Sequence, residues 1–595
     1  MSAILILLSQ ASAWAVDITN ESDLQGMVLL STSTDYDVTQ NITMTTDFES
    51  YMLTGYTGTF DGGGYTIDNL TIVYDSNYVG LFATFSTGGT VQNVNLTDID
   101  YSEVSAGDYR YIGGIVGYML QGYITNCTVT GSITDGEYYK GGIAGYVQNY
   151  TISGCSFDGT LSGQSQSYCG GIIGYAYGSV PEASNCWSSG TISGQGQVGG
   201  IIGGNNSASY CTIDGSHSDA DVTGTTDVGG LVGGAGQDIR ADGAYYENGT
   251  VTATGNDCGG LIGDSAAGTV LTDCSVDGAT ISGVATVGGF IGYCRSGTIT
   301  NCYVTGTTVT GSSTQIGGFY GYSIGTGTTS SCYVTDSCSI TGSSNTGGFV
   351  GNHGGNDITL SYSNAPVSGI SGADSIGGFI GINGGYTVDK CWATGKVSTA
   401  GGDSRYAGGF VGRQNNGVII DCWCSGDVGD ASYPWSYYVG GFVGRVEGGD
   451  TVRRSYSTGN VYQQSARNAA GGFCGYLYNN ARLDNCFSVG RILAQGSNYQ
   501  GLFLGYKYST GTVTDCGAYD DSSGLYGIGS TSSAVDWEYT DPTAWYDKTE
   551  DVYDTGSYTW DFSTPVWYEY TDDYPKLVEQ EISETDNAIF FGCHF

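Results

Sequence analysis

The sequence predicts an all-β chain, a right-handed parallel β-helix or β-solenoid of about 14–15 coils with ~30 residues per coil and a cap at each end. Three observations predict it. A Gly-Gly-apolar-apolar-Gly unit recurs along most of the 595 residues. Each unit holds two or three short β-branched runs separated by glycine turns. No unit shows helical periodicity.

The units run from Gly113 (GGIVGY) through Gly199 (GGIIGG), Gly288 (GGFIGY), Gly377 (GGFIGI) and Gly471 (GGFCGY) to a degenerate copy at Gln500 (QGLFLGY). There are fourteen, with starts 28 to 32 residues apart, and an earlier copy, VGLFATF, begins at Val79. One such unit cannot bury a core, whereas stacked copies pair backbone to backbone. Glycine at these places suits corners that need positive φ or close backbone approach. Of the two apolar residues, one is expected to face inward and the next the outer face or a neighbouring strand layer. At about 4.8 Å per coil, fifteen coils make a rod on the order of 70 Å long. The number of faces per coil does not follow from these residues.

About halfway through each unit comes a second mark, cysteine or tyrosine in a β-branched run, as in ITNCTV, LTDCSV and IIDCWC. Eleven of the eighteen cysteines are read onto one repeat position: Cys127, Cys155, Cys186, Cys211, Cys274, Cys302, Cys332, Cys391, Cys422, Cys486 and Cys516. Tyr362 and Tyr456 are read onto the same place in two other units. That interchange predicts a buried ladder of small or aromatic apolar side chains. Neighbouring rungs fit disulfide geometry poorly. The remaining seven, Cys169 and Cys258 among them, leave room for a few bridges if the protein is exported. No CxxC pair is present, so no zinc site is expected.

The ends depart from the repeat. Residues 1–15 read as a secretory signal, with an apolar run from Ala3 to Leu8 and Ala13-Trp14-Ala15 as an A-x-A site. No basic residue precedes the run, so the signal is atypical or truncated. Residues 16–78 read as an N-terminal cap with a short helix from Glu21 to Leu30. Residues 79–530 are the solenoid, and 531–595, rich in aromatic and acidic residues, are a C-terminal cap. Caps are expected because an open sheet edge invites aggregation. No other segment approaches ~20 apolar residues, so no transmembrane span is expected in the mature chain.

Glycine numbers 102, tyrosine 48 and proline 6, and the net charge of −41 comes from 58 acidic against 17 basic residues. The acids run along the whole length. Such a field opposes binding to nucleic acid or anionic lipid. No cofactor motif is present; calcium is the cation that carboxylate oxygens would suit.

Together these features make the sequence resemble the GLUG-motif repeat proteins. That family occurs in bacterial and archaeal surface adhesins and beside the peptidase of some immunoglobulin A1 proteases. The Gly-Gly units, the opening TGTFDGGGYTIDNLTIVYDSNYVGLFA and the closing WDFSTPVWYEYTDDYPKL carry the resemblance over nearly the whole mature chain. It implies a β-solenoid and a surface role, without a ligand. The peptidase is not implied, since no H-E-x-x-H occurs and His217, His353 and His594 lie far apart.

No catalytic constellation is legible. Asp98/Asp100 and Asp219/Asp221 would share a strand face, as glycosidase carboxylates can, but each pair occurs in one coil and reads as a solvated turn. Aromatics are the binding candidates: Tyr433, Trp435, Tyr437 and Tyr438 in the insertion SYPWSYY, then Tyr138-Tyr139, Tyr245-Tyr246 and Tyr476/Tyr478. Against binding stands the alternative that the tyrosines stack along the rod for stability. Eight Asn-x-Ser/Thr sites lie before residue 250; Asn126, beside the cysteine ladder, reads as a buried turn residue.

The expected function is a secreted or cell-surface, adhesin-like rod that binds a glycan or protein through its loops and is not an enzyme. The alternatives are a subunit of an extracellular fibre, sheath or matrix, with copies of itself as partners, and a polysaccharide-active β-helix enzyme.

Overall fold

The computed structural model describes residues 15–27, 32–48, 54–74, 77–103, 110–134, 138–163, 168–178, 182–207, 210–400, 404–430, 432, 437–463, 468–494, 499–519, 525–530, 537–539, 567–570 and 573–577. The chain winds as a parallel β-solenoid of about 14 turns with about 30 residues per turn. A central coil has five short strands: Asn256–Gly259, Ile262–Ser265, Thr269–Thr272, Ser275–Asp277 and Thr280–Gly283. Each pairs in parallel with its counterpart one coil on. Cys258 faces Val287, Ile262 faces Ile291, Leu271 faces Ile299, Val276 faces Val304 and Ile281 faces Val309. Like repeat positions therefore stack, and the β-branched side chains that alternate inward build one continuous core.

The glycine pair closes the corner between the first and second strands. A Cβ on Gly288 would lie 1.9 Å from the Ile291 carbonyl oxygen, and one on Gly289 2.1 Å from that of Gly318. Neither has positive φ, so close backbone approach is what demands glycine there. The corner also breaks the alternation expected of the two apolar residues. Phe290 and Ile291 are both fully buried, as are Phe319 and Tyr320. The first of the pair forms a column of eight stacked phenylalanines from Phe290 to Phe503, with centroids 4.5 to 5.0 Å apart.

Left-handed backbone sits at a different corner, one residue before the cysteine position. Asn126 (φ 54°), Asp273 (φ 53°) and Asn301 (φ 56°) hold it. Asn, Asp and Gly tolerate that region best, which accounts for the recurring T-N-C and T-D-C. Asn126 is thus a turn residue, but it is exposed, not buried as expected.

Register corrects the ladder. Trp187 pairs with His217, so Ser216 follows Cys186, and Cys211 lies five residues off the column. Likewise Tyr362 pairs with Trp392 and Tyr456 with Trp423, which puts Ser361 and Ser455, not the tyrosines, beside Cys391 and Cys422. The column therefore holds ten of the eleven predicted cysteines and admits only small replacements. Polar members such as these two hydrogen-bond back two residues, Cys302 Sγ donating to the Thr300 carbonyl at 3.3 Å and Ser361 Oγ to that of Thr359 at 2.8 Å, while Ala244 fills the same place by size alone. Tyr362 and Tyr456 belong to the next column, an aromatic stack from Tyr303 to Phe487 that is half-buried at its first three rings and buried from Trp392 on. All seventeen described cysteines are buried and free. The bridges that the sequence left open do not form among the described residues; Cys593 lies outside them.

Parallel pairing also runs through the segment read as the N-terminal cap, where Val16 faces Tyr36, Tyr36 faces Phe60 and Phe60 faces Val91. Its helix, α1, spans Glu21–Gly26, with Asn20 Oδ1 accepting from the Asp23 amide at 3.1 Å. Leu24 and Met27 are buried in the core. Val28 to Leu30, expected in this helix, lie outside the described residues. Towards the other end Trp537–Tyr539 pairs in parallel with Gly517–Tyr519, and Trp567–Tyr570 forms an antiparallel pair with Asp573–Leu577. Among the described residues no helix is long and apolar enough to cross a membrane. The signal segment, apart from Ala15, is not among them.

Candidate functional site

Tyr433 and Trp435 lie outside the described residues; Tyr437 and Tyr438 are half-buried at the head of the strand Tyr438–Gly440. Tyr406 pairs with Tyr438, and Val439 with Ala470. By that register Arg405, Tyr437 and Asn468 form one column across three successive coils, and Tyr406, Tyr438 and Ala469 the next. Ala469 stands where the two preceding coils and the one after it carry tyrosine, so the column is interrupted for one coil. Arg405, Tyr406, Tyr437, Tyr438 and Asn468 line a surface cleft of about 240 Å³.

The walls are held from behind. Arg445 donates through Nη1 to the Tyr406 hydroxyl at 2.9 Å. Arg445 and Arg413 both pair with Glu447, at 3.0 and 2.5 Å. The Arg445 guanidinium lies 4.9 to 5.4 Å from the ring centres of Tyr406, Tyr476 and Tyr478, within cation–π range. The Tyr438 ring stacks between Tyr406 (5.8 Å) and Tyr476 (4.7 Å). Burial raises the Tyr438 phenol pKa and pushes that of Tyr476 up to about 12, so both hydroxyls stay protonated at neutral pH. Arg405 is open to solvent at the lip, its side chain 62% exposed, and lies 3.5 Å from Asp374. Half-buried rings beside phenol, amide and guanidinium groups suit a sugar, whose C–H faces pack on aromatics and whose hydroxyls need polar partners.

Other aromatic candidates are structural. Tyr78, Tyr111, Tyr139 and Tyr168 stack at 5.2 to 5.3 Å, interleaved edge-on with Tyr118, Tyr146 and Tyr175. Their faces cover one another, so none is left for a ligand. Tyr138 packs on Tyr139. Tyr245 stacks on His217, which stacks on Trp187, while Tyr246 is buried and donates to the Ala220 carbonyl. Asp98, Asp100, Asp219 and Asp221 are all exposed. His353 is fully buried, and His594 lies outside the described residues.

One acidic group gathers where the sequence singled out nothing. Asp227, Asp257 and Asp264 bring ligand oxygens within 4.8 Å of one another. Burial first, then the charges of Asp264 and Asp227, pushes Asp257 up to about 6. Arg295 pairs with Asp264 at 2.6 Å, and Gln197 donates to Asp227 at 2.9 Å. Three carboxylates, one already neutralised by arginine, fall short of the roughly six to eight oxygens calcium takes.

Arg405, Tyr406 and Asn468 were missed in the sequence. A signal was present: eleven of the seventeen Lys and Arg fall between residues 390 and 507, against seven acids. Net charge taken over the whole chain hides it.

A family model described as the GLUG motif matches residues 108–134, 436–462 and 466–493, so the chain carries GLUG repeats, two of them contributing Tyr437, Tyr438 and Asn468. No curated protein matches. A solved structure described as "a putative immunoglobulin A1 protease from Bacteroides ovatus" aligns with 45% of this chain and 76% of its own, at 23% identity and a TM-score of 0.35. A likeness of that size carries no inference about activity.

Proposed function

We propose that this GLUG-repeat solenoid is a secreted or cell-surface, adhesin-like rod that binds glycans and does not catalyse. The observation that carries the reading is the cleft in which three coils bring Arg405, Tyr406, Tyr437, Tyr438 and Asn468 together. Tyr406 and Tyr438 stack on each other, and Tyr438 also on Tyr476, as tyrosines do elsewhere on the rod, so the half-buried Tyr437 ring and the polar groups beside it are what the cleft offers a ligand. The apolar run from Ala3 to Leu8 with its A-x-A site supports export. The acidic field supports solubility of a long rod.

The test is a binding screen of the full chain against immobilised oligosaccharides, repeated with Tyr437→Ala. Its ring is half-buried and its loss leaves the core columns intact, so the variant is expected to fold. Expected is a set of retained glycans whose binding falls at least about tenfold in the variant, the scale of losing roughly 1.4 kcal/mol of ring contact. Equal binding by Tyr437→Ala would move the site elsewhere on the rod. New reducing ends on incubation with a retained glycan would make the protein an enzyme.

A further inference from the structure

We infer that the glycan taken by the cleft is acidic, its sugar carrying a carboxylate or sulfate; this rests on the glycan-binding reading above. The chain has a net charge of −41, yet the cleft is built in the one stretch, residues 390 to 507, where eleven basic residues face seven acids. At the cleft itself an anion meets three guanidinium groups, Arg405, Arg413 and Arg445, set against the two carboxylates of Asp374 and Glu447.

Two local arrangements make that charge usable. Behind Tyr406, Arg413 and Arg445 both pair with Glu447, so two guanidinium groups share one carboxylate, and the neighbouring Asp450 carboxyl is pushed up to about 7 by burial and by Glu447. At the lip, the Arg405 side chain reaches solvent, and its contact with the half-buried Asp374 is a long 3.5 Å. Such a pair contributes about 0–1 kcal/mol, so a carboxylate or sulfate that meets the guanidinium fork can displace it. The Tyr438 phenol, kept protonated by burial, and the Asn468 amide line the same cleft. A neutral sugar would use the rings and the amide and leave the charge unexploited.

The experiment is calorimetric titration of the full chain with three sets of oligosaccharides of equal length. One carries uronate carboxylates, one carries sulfates and one is neutral. Titrations are run at about 50 mM and about 500 mM salt. Expected is binding of one or both charged sets at least tenfold tighter than the neutral set, with the advantage shrinking at high salt. Arg405→Gln, an exposed substitution checked by its melting temperature, should weaken the charged sets by a larger factor than the neutral set, so that the advantage shrinks towards parity. Which charged set wins identifies the group. Equal affinity for charged and neutral sets, unmoved by Arg405→Gln, overturns the charge inference while leaving the glycan reading standing. No binding of any set overturns both.

Discussion

At Gly289 a single methyl group decides whether the coil closes. A Cβ there would come within 2.1 Å of a backbone oxygen in the next coil, and a backbone atom at a packed corner cannot yield as a side-chain tip can. Gly289→Ala is expected to destabilise by at least about 3 kcal/mol, the upper end of the overpacking range. Gly449→Ala, where nothing lies within 4 Å, should stay within about 0.5 kcal/mol of wild type. Denaturant midpoints of the two variants separate a steric role from a loss of chain flexibility, which would affect both alike. The glycine positions were legible because spacing alone reveals them, but their reason was open between positive φ and close approach. Cys211 shows the limit of the same reading. It was placed on the ladder because it is a cysteine, whereas membership depends on register, and Ser216 occupies the place. Side-chain size decides what that column admits.

Within one strand position, successive coils carry Ser323, His353, Asn383 and Gln414 in a column, all fully buried. Four polar residues in a core need partners, and they find them in each other and in nearby backbone. His353 Nδ1 meets Asn383 Oδ1 at 2.9 Å and Nε2 meets the Asn356 carbonyl at 2.7 Å, while Asn383 donates to Gln414 at 3.0 Å. Burial lowers the His353 pKa, with the Asn356 and Asn383 hydrogen bonds and Asp357 opposing it. A histidine whose folded pKa lies below the unfolded ~6.5 binds its proton more readily in the unfolded chain, so its contribution to stability is complete above that pH and is lost as pH falls below it. Asp257 works the other way: its raised carboxyl is disfavoured as a charge by the fold, so stability falls as pH rises towards and through about 6. Urea midpoints of wild type and His353→Gln at pH 7.5 and 5 separate the two. Wild type should lose more stability on acidification than the variant, because only the variant lacks the titrating ring. Parallel profiles would mean that His353 stays neutral throughout. Sequence spacing set His353 aside as isolated from the other histidines; the amide partners that matter lie 30 residues apart and share a column only once the coil length is known.

For the molecule as a whole, coil length was legible from a repeat that each unit writes again, whereas the cleft was only partly so. Tyr437 and Tyr438 stood out as an aromatic insertion, but Arg405 and Asn468 enter through register over three coils, and no single unit contains that information. The same stacking sets how the rod comes apart. Each coil is held by its two neighbours, and coils near an end have less continuous core beside them, so unfolding should start there. The free cysteines report it position by position. All seventeen described ones are buried, so the native thiols are inaccessible, and burial also pushes Cys211, Cys258 and Cys294 up to about 12. Labelling with a thiol reagent at increasing urea, read by mass spectrometry, should leave the native protein unlabelled at these positions. Cys516 and Cys486 should then label at lower urea than Cys302 and Cys332, which lie in the middle of the cysteine column. If all of them label together at one urea concentration, the columns transmit stability along the whole rod and it unfolds as a single unit, against the nearest-neighbour account.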